Sequence, residues 1–206
     1  MAQALIDLVK NAFPDAVREM HAQHGDETLV IDPSRWHDVA RFLKGSPAAD
    51  MTMLTDLTAV DYPDREPRFE VVAHFYSLAR GHRLRVKARI GDAEGKHVRI
   101  ASLADLWGSA NWLERECWDM FGVEFEGHPD LRRILLYPEF QGHPLRKDYP
   151  ADKIQPLVEY RDVPAIDKIA PFRADEGMSF GRQTHDRVLS NDAPDPEVFP
   201  PHGNGN

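Results

Sequence analysis

The sequence predicts an α+β fold, with helices packed on a mixed or antiparallel sheet and an extended Pro-rich C-terminal tail. Three observations predict it. Two central runs alternate with period two: Phe69, Val71, Ala73 and Phe75 against Glu70, Val72, His74 and Tyr76, then Leu84, Val86, Ala88 and Ile90 against Arg83, Arg85, Lys87 and Arg89. Each set therefore takes its own face of a strand. Helical apolar stripes with cap signals lie on either side of these runs. From Pro150 onward, the stretch holding half of the 16 prolines, periodicity is lost.

The elements follow in order. Leu5, Ile6, Leu8 and Val9 recur near helical spacing and Pro14 follows, which predicts a helix over 3–12. Two strands, 16–20 and 28–31, flank a turn at His24-Gly25-Asp26. Asp32-Pro33 opens a second helix, as N-cap and N1, with Trp36, Val39, Ala40 and Leu43 as its stripe and Gly45 just past its end. The run 51–60 reads as a strand or a helix–strand junction, and Gly81 suits a hairpin between the two alternating strands. Ser102 is expected to cap a short helix carrying Leu103, Leu106 and Trp107. Asn111, with Glu114 three residues on, is expected to open a longer one. There Leu113, Cys117, Met120 and Phe121 share a stripe, and Gly122 ends it. This places a globular domain at 1–150 and a tail at 151–206. The tail's isolated apolar residues, among them Ile154, Leu157 and Phe172, cannot offset an ordering cost of ~1–2 kcal/mol per residue unaided. A partner surface is the expected home of the tail, with its end flexible.

Composition narrows the function. A net charge of −9 opposes general binding to nucleic-acid phosphates or anionic lipid. Arg83, Arg85, Lys87 and Arg89 are not interleaved with stacking aromatics, and read as a solvated sheet face with Glu70 as a partner. The longest clean apolar run near the middle, Ile134 to Tyr137, is far short of the roughly 20 residues of a membrane span. Asp7 and the absence of a basic leader argue for a protein of the bacterial cytoplasm. The one cysteine, Cys117, cannot hold an iron–sulfur cluster, a disulfide or a multi-cysteine zinc site, and reads as a small buried helix residue.

The densest segment runs from Glu114 to Pro150. Glu114 and Glu116 point to opposite sides of a helix, so they make no shared-proton dyad, while Arg115 and Asp119 are spaced to pair locally. His128 and His143 each sit in Gly-His-Pro, which makes them turn residues. No HxH, HxxxH or HExxH spacing supports a metal-dependent hydrolase. A capped helix, fixed turns and Arg132, Arg133, Arg146 and Lys147 together suit a protein interface. No catalytic, cofactor-binding or metal-ligating residue is assigned. The interface candidates are Glu114, Arg115, Glu116, Asp119, Phe121, Gly122, His128, Pro129, Arg132, His143, Pro144, Arg146, Lys147 and Asp148.

This run, Glu114-Arg115-Glu116 through Asp119, Phe121, His128, Arg132 and Ile134-Leu135, then Gly142-His143-Pro144-Leu145-Arg146-Lys147-Asp148-Tyr149-Pro150, resembles the signature of the 30 kDa, or C-type, family of structural polypeptides in respiratory NADH:quinone oxidoreductase (complex I). Order and gaps agree without a departure at a charged position, and Tyr160-Arg161 resembles the start of that family's tail. The resemblance implies an α+β structural component of the peripheral arm, without flavin or iron–sulfur cluster. It implies packing on the D-type neighbour near the quinone pocket, and beside iron–sulfur subunits. It implies a place on the cytoplasmic side of the bacterial inner membrane, reached only through the complex. Membrane-bound hydrogenases and other quinone-type dehydrogenases carry components with a similar signature, and this chain alone does not name the electron donor.

Overall fold

The computed structural model describes residues 2–158, and the expected tail lies outside the described residues from 159 onward. Ten elements are laid out as α1 (Ala2–Ala12), β1 (Val17–His21), β2 (Thr28–Ile31), α2 (Trp36–Gly45), β3 (Met53–Asp61), β4 (Phe69–Ser77), β5 (His82–Ile90), β6 (Arg99–Ala101), α3 (Gly108–Phe121) and β7 (Glu124–Glu126). The first five strands form one mixed sheet in the order β1-β2-β5-β4-β3. β2 runs parallel to β5, and the other pairs are antiparallel. The short β6 and β7 pair in parallel as a separate ribbon.

Register explains the faces. Val71 pairs with Ala88, Ala73 with Val86 and Phe75 with Leu84. All six side chains are buried in one core with Leu5, Ile6 and Val9 of α1, Trp36, Val39 and Leu43 of α2, and Ala110 and Cys117 of α3. Burying each large aliphatic or aromatic side chain there contributes about 1.5–3 kcal/mol. The opposite face carries the expected charges. Lys87 Nζ lies 2.7 Å from Glu70 Oε1, Arg89 bonds Glu19 at 2.7 Å through both terminal nitrogens, and Arg83 and Arg85 reach Asp26. Lys87 stands in register between Val30 and Val72. Its aliphatic stem shields these two outward valines, which are buried although they face away from the helices.

Local signals for the secondary-structure elements act where they were read, with three exceptions. Asp32 Oδ1 accepts the Ser34 N–H at 3.0 Å and Pro33 begins a 3-10 turn that leads into α2. The stretch 51–60 resolves as a strand, β3, starting at Met53. Gly45 is the last residue of α2 and not the residue after it. The segment after Ser102 is a turn, closed by Trp107 N–H on Leu103 O at 3.0 Å, and not a helix. Asn111 does not open α3: the helix starts one turn earlier, at Gly108, and Trp107 stands at its N-cap without a side-chain bond. Glu114 is therefore an interior helix residue, free to turn its carboxylate into the core. No helix among the described residues is long and apolar enough to cross a membrane.

Candidate functional site

The irregular chain 127–150 is held to the fold by two clamps of charged side chains, one on α3 and one on the main sheet. The first is made by residues one helical turn apart. Arg115 and Asp119 do not pair with each other, as their spacing suggested. Arg115 Nε donates to Arg132 O and its Nη2 to Arg133 O, each at 3.0 Å. Asp119 Oδ2 accepts the backbone N–H groups of Ile134, Leu135 and Leu136 at 2.9–3.0 Å, and Oδ1 accepts Arg133 Nη1 at 2.6 Å. A short loop thus offers its carbonyls to an arginine and its amides to an aspartate. Burial alone would push the Asp119 carboxyl up. The Leu136, Arg133, Ile134 and Leu135 hydrogen bonds outweigh it and hold the group below the usual carboxylate range.

Arg133 extends this clamp. Its Nη2 donates to Phe140 O at 2.8 Å and Gly142 O at 3.1 Å, and its guanidinium lies over the Trp118 and Phe140 rings. His143 then returns the chain to α3, its Nδ1–H donating to Asp119 O at 3.0 Å. The His143 ring lies against Gly122, which ends α3 with φ 76°. A Cβ at Gly122 would come within 2.7 Å of His143 Cδ2, so the position demands glycine both for its backbone angle and for the ring beside it.

The second clamp holds 146–148 to the main sheet. Asp61 ends β3 and Arg68 precedes β4, and both are buried. Arg68 donates to the two Asp61 oxygens at 2.7 and 2.8 Å and to Asp148 at 3.1 Å, and the Lys147 N–H donates to Asp61 Oδ2 at 2.8 Å. Arg146 Nη2 donates to Gly95 O at 2.8 Å, and its guanidinium sits over Phe69. Burial pushes the Asp61 carboxyl up, but Arg68 and the Lys147 amide together hold it below its ordinary value.

The remaining candidates divide by exposure. Glu116, Pro129, Arg132 and the side chain of Lys147 are exposed, and Phe121 and Pro144 are half-buried. Arg132 Nε bonds Asp130 at 2.8 Å. His128 is engaged through both ring nitrogens: Nε2–H donates to Asn111 O at 3.1 Å and Nδ1 accepts the Asp130 N–H at 3.0 Å. Together the two bonds order the turn at 128–130 and tie it to α3. Among the described residues no group of three His, Cys, Asp or Glu side chains gathers as a metal would require. Cys117 is buried, and burial pushes its thiol well above the usual value, as does the nearby Glu114.

Polar groups are thus spent inside the segment while large apolar ones remain outside. Trp112, Leu135 and Leu145 are 61%, 62% and 49% exposed, and Ile154 and Leu157 are 93% and 96% exposed. Sequence reasoning noted Arg133 only as one of a basic group and Ser102 only as a helix cap, and it missed Asp61 and Arg68. Nothing local marks Asp61 and Arg68 as parts of this segment, since they reach Lys147 and Asp148 from 86 and 80 positions away.

Residues 29–155 match the family model described as "Respiratory-chain NADH dehydrogenase, 30 Kd subunit". The chain belongs to this family. The matched span contains both clamps and most of the main sheet. Among curated relatives, the C-type component of NADH-quinone oxidoreductase from Geobacter sulfurreducens is 44% identical over 149 residues, covering 72% of this chain and 88% of the relative. Its counterpart from Cereibacter sphaeroides is 38% identical over 183 residues, covering 84% and 90%. A solved structure titled "Nqo5 of the trypsin-resistant fragment (1-134) in P63 form" is 29% identical with a TM-score of 0.53, covering 63% of this chain and 98% of that one. The run from Glu114 to Pro150, on which the resemblance was read, lies within the matched span.

Proposed function

We propose that this chain is a structural, cofactor-free component of the peripheral arm of proton-translocating NADH:quinone oxidoreductase. It has no turnover of its own and supports the D-type neighbour and the quinone site, with adjacent iron–sulfur subunits as further neighbours. In this reading it lies on the cytoplasmic side of the bacterial inner membrane and reaches the membrane only through the complex. The names of its relatives favour the NADH:quinone form over a membrane-bound hydrogenase or another quinone-type dehydrogenase.

The observation that carries the proposal is the division of labour in 108–158. Its charged side chains fix an irregular loop from within, while Trp112, Leu135, Leu145, Ile154 and Leu157 face solvent. Rigid loops with exposed aromatic and aliphatic anchors suit a partner, because anchors on an ordered surface bind at low entropic cost. Glu116, Arg132 and Lys147 would form the polar rim of such a surface. A division into a globular domain at 1–150 and a partner-bound tail at 151–206 fits the same reading. It draws support from the relative whose solved piece is a trypsin-resistant fragment.

The test is a double substitution, Trp112→Glu with Leu135→Glu, in the full chain expressed in a host lacking its own copy. The purified variant should keep the wild-type circular dichroism and melting temperature, while membranes lose assembled NADH:quinone oxidoreductase on native gels. Full assembly with both charges in place would refute the interface.

A further inference from the structure

Glu114 is left over once both clamps are assigned. Its side chain is wholly buried on α3. The carboxylate accepts two hydrogen bonds, from Ser102 Oγ and Leu103 N, each at 2.6 Å. From the 102–106 turn it faces Ser102 and Asp105, from its own helix Cys117, and from the loop after β7 His128. Among the described residues no lysine or arginine nitrogen lies within 4.0 Å of it, and the nearest basic group is His128 Nε2, at 4.0 Å. Both His128 ring nitrogens are engaged elsewhere, Nδ1 by Asp130 N–H and Nε2–H on Asn111 O, so His128 gives Glu114 no hydrogen bond. Asp105 has the wrong sign. Asp119, five residues on and equally buried, shows the contrast: it has an arginine and three amides.

A buried carboxylate with two donors and no countercharge is costly as the anion and comfortable as the acid. As the acid, its O–H donates to Ser102 Oγ, which still accepts the Ala104 N–H at 3.1 Å, and Leu103 N–H still donates to the other oxygen. We propose that Glu114 is a proton switch built into the fold: the packed chain holds it as the neutral acid, and loss of the proton to water loosens α3 from the 102–104 turn and the His128 loop. Burial pushes this carboxyl up to about 7, against the hydrogen bonds from Ser102 and Leu103. The switch lies within a turn of the exposed Trp112 on α3. The inference stands on the chain's own geometry and does not need the family's place in a larger assembly.

The experiment compares urea unfolding of the full wild-type chain and Glu114→Gln from pH 5 to pH 8. The folded state keeps a proton that the unfolded state releases above about 4.5, so stability is greatest at low pH and falls as pH rises, levelling off above about 7. Relative to Glu114→Gln, the wild-type unfolding constant should rise roughly 50–100-fold across that range. Parallel curves for the two proteins would overturn the proposal. Carbon-13 titration of the Glu114 carboxyl in the wild type decides the matter even if the variant fails to fold. A midpoint near 7 is expected, and one in the ordinary carboxylate range would overturn it.

Discussion

Replacing Asp119 by asparagine changes one oxygen to an NH2 and removes one charge, with almost no change of volume. The wild-type carboxylate accepts three backbone amides through one oxygen and the Arg133 guanidinium through the other. An asparagine amide has only one accepting atom. If its oxygen serves the amides of 134–136, its NH2 meets Arg133 donor to donor; if it is flipped, three amide N–H groups face a donor. Either way the half-buried Arg133 loses its countercharge, while its bonds to Phe140 O and Gly142 O remain. Breaking a buried ion pair from one side costs about 3–5 kcal/mol. The expected loss on Asp119→Asn is therefore about 3 kcal/mol at pH 7, measured by urea unfolding of the purified chain. Because the folded carboxyl is held below its ordinary value, its contribution is present above about 3.8 and is lost as pH falls through the folded value. The gap between wild type and variant should therefore close toward acid. A loss under about 1 kcal/mol at pH 7, or a gap that does not narrow at low pH, would refute the clamp as the organiser of the 132–136 loop.

Other substitutions test neighbouring parts. Gly122→Ala should cost about 1–2 kcal/mol for the left-handed backbone alone, and more because its Cβ displaces the His143 ring. Thermal melts give the total, and loss of the His143–Asp119 bond should appear as faster hydrogen exchange in 142–146. Arg146→Ala should destabilise the isolated chain by about 1.5–3 kcal/mol, because its guanidinium bonds Gly95 O inside the fold. A variant that melts like wild type but fails to assemble would instead place Arg146 at the partner surface.

What the sequence discloses is whatever its chemistry settles over a few residues. Alternation from Phe69 to Tyr76 and from Arg83 to Ile90 shows which face is core, because a pleated strand allows no other reading. Asp32-Pro33 marks a helix entry since the cap bond spans two residues. β6 and β7 escape notice because three residues apiece are too short for a period. The start of α3 misleads for a physical reason. Asn111 with Glu114 has capping-box spacing, but Glu114 finds Ser102 and Leu103 across the core, and that long-range bond overrides the local one. The i,i+4 pair of Arg115 and Asp119 fails likewise, each being drawn to the loop at 132–136, where carbonyls and amides lie unpaired by regular structure. The candidate segment was legible as a segment through its run of charged and turn residues. Its wiring was not, since Asp61 and Arg68 join it from 80 or more positions away.

The central claim is that this polypeptide supplies shape and contact surface while the electron carriers belong to its neighbours. The most direct measurement is purification of the tagged full chain from its native membranes, with NADH:quinone oxidoreductase activity, flavin and iron assayed beside the same chain purified alone. The account predicts that activity and redox groups co-elute only with the assembled complex, and that the single chain has neither. Stoichiometric flavin or metal, or turnover, in the single chain would contradict it, as would its elution from the membranes without any redox partner.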